Sequence, residues 1–498
     1  MLLTRRGERE SGVDGWALVV ARLYLIAILG ALVPIGAVFL AHAVSGVRVK
    51  SSEQFSTSDA WTTYLADANH DGFNSHETLI NPTSASQLKQ KWAHPANSGV
   101  SDQPIESAGI VYWGSWNGYI HATNISNNAK VWATFIGQTT DSSCDPPIVG
   151  VASSPTLGTV NAQLAIFVGG GDATFYALSA ATGKILWKTA LGSTPSHFIW
   201  DSPAVSTTSV YIGTSSFGDC PLTQAKFFQL DVNSGRILNT FLIVPNGCTG
   251  GGVWGSPTID VPNGTVYLTT GNSGSCTTSE PNAFALLELN AANLNLVNRH
   301  QLPPSERPGD SDFGYTPTLF TATIGGISRS LVGVANKNGK YYAFDRTNIS
   351  ANPVWTEQLA NGGDCPQCGS GSISSAGWDG TWLYIGGGNT SIGGSKCQGS
   401  VRKVDPGSGN FIWSHCMQSG PVVGSVTVVG STAGPATLVA ASQGSTVIVM
   451  NTSTGSTLAR LTDGKRGSLL YDGPTVSDGV LFVGNLDGNL YTYSVNGA

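Results

Sequence analysis

Hydrophobic residues in this chain come in short bursts rather than long helical stripes, and glycine or polar positions interrupt them at close intervals. Runs such as "SVYIG" (209–213) and "YYAFD" (341–345) combine β-branched and aromatic side chains and read as strands. The Gly, Asn and Ser–Pro pairs between them read as tight turns. The bursts keep a recurring order: a β-rich strand, a Gly/Asn turn, a second strand, a Thr/Ser–Gly pair and often a closing Trp. "AIFVGGGDATFYALSAATGKILW" (165–187) shows all of it, and comparable units occupy 107–132, 209–238, 265–297, 330–355, 382–413, 437–459 and 477–497, eight in all. Most follow a turn pair, at Ser154-Pro155, Ser202-Pro203, Ser256-Pro257, Thr316-Pro317 and Gly473-Pro474.

A period of roughly 43–65 residues fits four-stranded blades with loops of variable length. One such sheet cannot bury both faces alone, and stacking around an axis buries them. "SASQLKQKW", ending at Trp92, reads as the strand that completes the last blade. The expected fold is all-β: a single eight-bladed β-propeller over residues 61–498. The closing strand and the repeated Trp favour this ring over an open solenoid.

The N-terminal sixty residues break the pattern. Leu23 to Val44, "LYLIAILGALVPIGAVFLAHAV", is a run without formal charge that is long enough to cross a bilayer. It reads as a transmembrane anchor behind a cytoplasmic segment, 1–22, or as a secretory signal cleaved after Ala43. Arg5, Arg6 and Arg9 precede it among Glu8, Glu10 and Asp14, a modest positive-inside signal. Residues 45–60 read as a polar linker. Either alternative places the propeller outside the cytoplasm, at the cell membrane or secreted.

Composition changes the picture in three places. With 63 glycines among 498 residues and only 11% charged residues, the chain suits tight turns, while 41% hydrophobic residues excludes disorder. The formal charge of −6 and the lack of a basic stripe exclude nucleic acid as an expected partner. Eight cysteines, an even count in an exported domain, read as disulfides whose connectivity spacing alone does not give. In Cys365-Pro-Gln-Cys368 the next residue is Gly369, not the His that covalent haem needs, and no second ligand pair for zinc is evident. Blade topology places Cys248 before a first strand and Cys276 after the second strand of that blade, so these two are expected to meet. The same placement brings Cys365 or Cys368 to Cys397, and Cys144 to Cys220.

The repeat "YALSAATGKILW", the N-terminal "HDGFNSHETLINPTSASQLKQKW" and "GGVWGSP" (251–257) together resemble the pyrroloquinoline quinone (PQQ) dehydrogenase propellers, in particular the polyvinyl-alcohol-dehydrogenase-like branch. The likeness covers nearly all of the exported part. It implies a PQQ- and calcium-dependent dehydrogenase that oxidises an alcohol-type small molecule or polymer and passes electrons to an external acceptor. On that likeness Trp254 is the floor on which the quinone stacks. Asn272, in "TGN", is a calcium ligand beside the quinone, and Asp312, in "GDSDFG", is the catalytic base and a metal neighbour, with Asp310 as the alternative. Lys337, in "ANKNGKYYAFDRT", contacts the quinone oxygens. Calcium would polarise the quinone carbonyl, Lys337 would offset developing negative charge, and Asp312 would take the alcohol proton.

Each residue also has a plain structural reading: Trp254 as inter-blade packing, Asn272 as a turn residue, Asp312 in a solvated acidic loop, and Lys337 in an ordinary Asn–Gly hairpin. Two departures from the family pattern bear on turnover. No Glu stands in "SVYIGTSSFGDCP" (209–221), where a calcium glutamate is expected, so Asp219 is the nearest candidate, one carbon shorter. Cys144 stands alone where catalytic relatives carry a vicinal pair. The competing expectation is a non-catalytic, membrane-anchored propeller of the outer-membrane-assembly type, binding envelope proteins or polysaccharide. A hydrolase has no support, because neither Gly-x-Ser-x-Gly nor His-Glu-x-x-His occurs. If the dehydrogenase reading holds, Trp254, Asn272, Asp312 and Lys337, spread over three successive blades, converge at one end of the central channel.

Overall fold

The computed structural model describes residues 60–430, 434, 436–464 and 468–498. The predicted anchor or signal at 23–44, the segment 1–22 and nearly all of the linker 45–60 lie outside the described residues. Among the described residues no helix is long and apolar enough to cross a membrane, and the only helices are four single-turn 3-10 segments.

Eight sheets carry the fold, each built on four antiparallel strands. Seven follow chain order and the eighth takes its outer strand from the N-terminal side, while blade 7 gains a fifth, parallel strand. Blade 1, for instance, runs Ile105–Ser107, Ile110–Gly114, Tyr119–Asn124 and Lys130–Phe135. First strands of neighbouring blades touch one another, which places them round the axis. In blades 1 and 4 the first strand is buried and the fourth is partly exposed, so burial falls from the axis outward. The predicted ring closure is present. Leu88–Pro95 is the outer strand of blade 8 and pairs with Asn489–Val495, with Trp92 opposite Thr492.

Two sequence features explain how blades lock together. The repeated Trp of the fourth strand donates its indole N–H to a carbonyl in the next blade: Trp132 to Ala180, Trp187 to Val232, Trp355 to Pro406, Trp413 to Thr452, and Trp92 across the closure to Ile125, at 2.8–3.1 Å. The glycine of the Thr/Ser–Gly pair lies under that ring. Gly235, at φ +71°, would bring a Cβ within 2.4 Å of Trp187. The second feature is the hydroxyl of the Ser–Pro pairs, which are more than turns. Ser154, Ser202, Ser256 and Thr316, joined by Ser375, which precedes alanine rather than proline, each accept the backbone N–H of the preceding blade, at 2.8–3.2 Å, and form a hydroxyl chain round the axis.

One element was not legible in the sequence. The segment from Trp61 to Glu77 does not lead straight to the closing strand but crosses the first strands of most blades. Trp61 bridges Glu106 in blade 1, the Thr62 carbonyl accepts from Leu157 in blade 2, and His70 meets Thr258 in blade 4. The Asp71 carbonyl accepts from Trp378 in blade 6, Phe73–Asn74 adds a parallel strand to blade 7, and Glu77 accepts from Gly479 in blade 8. The segment thus lies across the channel, and Tyr64 lines the axial cavity.

All eight described cysteines are paired. Cys248–Cys276 and Cys144–Cys220 join as expected. The expected link from Cys365 or Cys368 to Cys397 is overturned: Cys365 bonds Cys368, and Cys397 bonds Cys416. The reason is local. A 3-10 turn, Pro366–Cys368, folds the first pair back on itself, with the Cys368 N–H donating to the Cys365 carbonyl. Cys397 ends a small extra hairpin, Thr390–Ile392 with Ser395–Cys397, which sets it against the outer strand carrying Cys416.

Candidate active site

Trp254, Asn272, Asp312, Lys337 and Asp219 all line one cavity of about 560 Å³ on the channel axis. Their blades differ from expectation in one respect. The first four come from two successive blades, not three, because the stretch holding Asp312 is the connection into the first strand of blade 5. Trp254 precedes Thr258–Asp260, the first strand of blade 4, and Asn272 follows Thr265–Thr269, its second. Lys337 follows Ile327–Ala335, the second strand of blade 5, and Asp219 comes from blade 3. Connections into a first strand and out of a second share one end of the channel, which is why residues so distant in sequence meet.

Local hydrogen bonds fix the groups. The "GDSDFG" loop is tied to the "NKNG" turn twice: Lys337 N–H donates to the Asp312 carbonyl at 3.0 Å, and the Asn336 amide to the Ser311 carbonyl at 2.8 Å. The Asn272 N–H donates to Asp312 Oδ1 at 2.5 Å, and Lys337 Nζ reaches Asp312 Oδ2 at 3.0 Å and Asp310 Oδ2 at 2.7 Å. The Asn272 side chain donates to Asp219 Oδ2 at 3.2 Å, so the shorter carboxylate in place of the expected glutamate does stand beside Asn272. Asp310, the alternative, lines the same cavity and holds the same lysine.

Burial sets the electrostatics. Asp312 is 5% exposed, and burial pushes its carboxyl up to about 7, against the opposing charge of Lys337 and with help from Asp310. Burial also works against the Lys337 ammonium, but the charges of Asp312 and Asp310 outweigh it and hold it above the usual lysine value. One lysine is thus shared by two carboxylates, which leaves Asp312 poised to hold or release a proton near neutrality.

Trp254 is not one of the outer docking indoles, although its ring edge does meet the connection into blade 5. It makes none of the outer indole-to-carbonyl contacts described above, it is half-buried in the cavity, and Lys337 Nζ lies 5.2 Å from its ring centre. Its ring edge fills the place of a side chain at Gly314, where a Cβ would sit 1.8 Å from the indole. Gly314→Ala is therefore expected to displace Trp254 and abolish stacking of a flat ligand while leaving the blades folded, as read by loss of ligand-induced tryptophan quenching with an unchanged far-UV spectrum.

The arrangement offers a flat aromatic floor, one cation, and oxygen ligands on Asn272, Asp219 and Asp312, the hard donors that calcium takes. Ser215 Oγ and Asp310 Oδ1 also belong to cavity-lining residues, are buried, and have no partner among the described residues. Such atoms are costly unless a bound group meets them. The residues fit a flat quinone accompanied by a hard cation.

A propeller of this construction, with its candidate residues gathered at one channel mouth, suggests a class, and sequence comparison places the chain in a family of such propellers. A family model for PQQ-type repeat propellers, described as outer membrane protein assembly factor BamB, matches residues 116–364 and 397–498, and the chain belongs to that family. It is 25% identical over 347 residues to a polyvinylalcohol dehydrogenase of Pseudomonas sp, covering 62% of this chain and 52% of the relative. It is 27% identical over 327 residues to a quinohemoprotein alcohol dehydrogenase of Comamonas testosteroni, covering 57% and 45%. The chain thus spans about half the length of the curated relatives it matches. The crystal structure of the Comamonas testosteroni enzyme superposes with a TM-score of 0.70 at 18% identity, over 88% of this chain and 81% of that one. BamB from Moraxella catarrhalis superposes with 0.51 at 16%, over 82% and 99%. Both structures show the shared propeller fold.

Proposed function

We propose that the chain is a PQQ- and calcium-dependent dehydrogenase of an alcohol-type substrate, working outside the cytoplasm and handing electrons to an external acceptor. The observation that carries this reading is the convergence of Asp312, Lys337, Asn272 and Asp219 around Trp254. When bound, PQQ supplies the hydride acceptor and calcium the Lewis acid. The chain's own residues then have distinct tasks. Trp254 orients the flat ligand, with Gly314 leaving room for it. Asn272, Asp219 and Asp312 supply oxygens to the cation. Lys337 holds positive charge where negative charge develops. Asp312, kept by the Asn272 N–H and by Lys337, takes the hydroxyl proton of the alcohol. The four disulfides support an oxidising, extracytoplasmic setting, and anchoring through residues 23–44 belongs to the same proposal.

The second reading, an anchored non-catalytic scaffold, is favoured by the description of the matching family and by the aspartate in place of glutamate. Reconstitution separates them. The full chain with PQQ and calcium is expected to show bound quinone absorbance and dye reduction with a simple alcohol. Absence of quinone binding at any calcium concentration would exclude the enzyme and leave the scaffold.

A further inference from the structure

The cavity has two ends of different chemistry. Blades 3 to 5 supply the groups just described. Across the axis, Tyr471 and Asp472 from blade 8 and Ser101 and Trp116 from blade 1 line the opposite wall, and Asp145, beside the Cys144–Cys220 bridge to blade 3, adjoins Trp116 at its edge. The dehydrogenase reading uses none of these. Among the described residues, Lys337 is the one basic side chain lining the cavity, against six aspartates, and two of those already hold it. The far wall therefore presents acid and aromatic groups with no cation from the described residues.

Trp116 is fixed there. Its indole packs on Gly99, where a Cβ would come within 3.0 Å, and its N–H donates to Ser101 Oγ at 2.8 Å, leaving the ring half exposed. The Tyr471 hydroxyl is pushed up by burial and then by the charge of the exposed Asp145 carboxylate, so that carboxylate acts on the same corner. Asp472 is 4% exposed. Its Oδ2 accepts from the Gly484 N–H at 3.2 Å, while its buried Oδ1 meets no partner among the described residues. Burial and then the charge of Asp102 push the Asp472 carboxyl well above the usual carboxylate range. Its hydrogen-bond arrangement repeats that of Asp102 and Asp201 in other blades, and the exposed Asp145 is the carboxylate of this corner that meets solvent.

We propose that this wall is a subsite for an organic ammonium group, so that the alcohol taken by the site carries a cationic nitrogen, as amino-alcohols and trimethylammonium alcohols do. Aromatic faces attract such cations through their quadrupole, and a neighbouring carboxylate adds direct attraction. A bound quinone brings further carboxylates, which makes the remaining space more anionic and turns hydroxy acids away. The alcohol clause rests on the dehydrogenase reading, whereas the ammonium subsite does not.

Calorimetric titration of the full chain, without added cofactor, with choline and with its uncharged isostere 3,3-dimethyl-1-butanol reads the subsite directly. Choline is expected to bind about tenfold more tightly than the isostere. That preference is expected to shrink at high salt and to be largely lost in Asp145→Asn and Trp116→Leu. Asp145 is exposed, so Asp145→Asn carries the test if Trp116→Leu fails to fold. Equal affinity for the two probes, or choline binding indifferent to Asp145→Asn, overturns the proposal. Choline preference in a protein that reduces dye with no alcohol keeps the subsite and removes the dehydrogenase. Dye reduction with neutral alcohols and no choline preference does the reverse.

Discussion

Asp312→Asn is expected to lower kcat for alcohol-dependent dye reduction by about a hundredfold to ten-thousandfold, the usual contribution of a positioned general base, while PQQ binding persists. The substitution is nearly isosteric. The replacement amide keeps an oxygen for the Asn272 N–H, and Lys337 keeps Asp310 at 2.7 Å, so the ammonium is not stranded. What disappears is the carboxylate able to take a proton. The sign of the pH dependence follows. Burial raises Asp312 to about 7, so the base is protonated and idle below that value and becomes competent as pH rises through it. The parent rate should climb towards neutrality and level off above it, and the residual rate of the variant should lack that limb. Stopped-flow dye reduction across pH, beside a quinone-binding titration, checks both. Loss of PQQ binding together with activity would mean that Asp312 shapes the site rather than acting in the reaction. An unchanged limb in the variant would assign the ionisation to another group.

Much of the fold was legible because a propeller repeats its signals. A strand–turn–strand pattern with a closing Trp declares one blade, and eight copies make each ambiguous one readable. The convergence of Trp254, Asn272, Asp312 and Lys337 followed from where each falls relative to the strands of its blade, since connections of one kind share one end of the channel. What was hidden depends on contacts without a local signature. The crossing of Trp61–Glu77 is held by one or two hydrogen bonds to each of several blades and a two-residue strand on blade 7, and nothing in its sequence gives a period. The Ser–Pro pairs were visible as turns, but their hydroxyls join blades roughly 50 residues apart, a separation that only closure into a ring reveals. The pairing of Cys397 with Cys416 depended on the extra hairpin at Thr390–Cys397, which lies outside the four-stranded plan.

Removing residues 84–94 is expected to cause the largest structural loss. Leu88–Pro95 supplies the whole outer strand of blade 8, and its Trp92 is the only one of the five docking indoles that spans the junction between the last and first blades. Deletion uncovers the backbone donors and acceptors of Asn489–Val495 and the apolar residues beside them, an edge ready to pair with other chains. The crossing segment complicates the outcome in an informative way. Phe73–Asn74 remains paired with blade 7, and Asn74 still reaches the Val476 carbonyl of blade 8 at 3.0 Å, so the ring keeps a hold at its axis. The deletion protein should therefore retain β structure but open at its rim, with an unfolding midpoint well below that of the parent and light scattering that rises with protein concentration. Trp92→Ala leaves the strand but removes the dock, and because Trp92 is only partly buried it should show a smaller fall, below the roughly 3–5 kcal/mol seen when a fully buried Trp is truncated. Concentration-dependent scattering in the deletion but not in Trp92→Ala would separate the exposed edge from the lost indole. A deletion protein that melts as late and as cooperatively as the parent would show that the axis alone holds the ring closed.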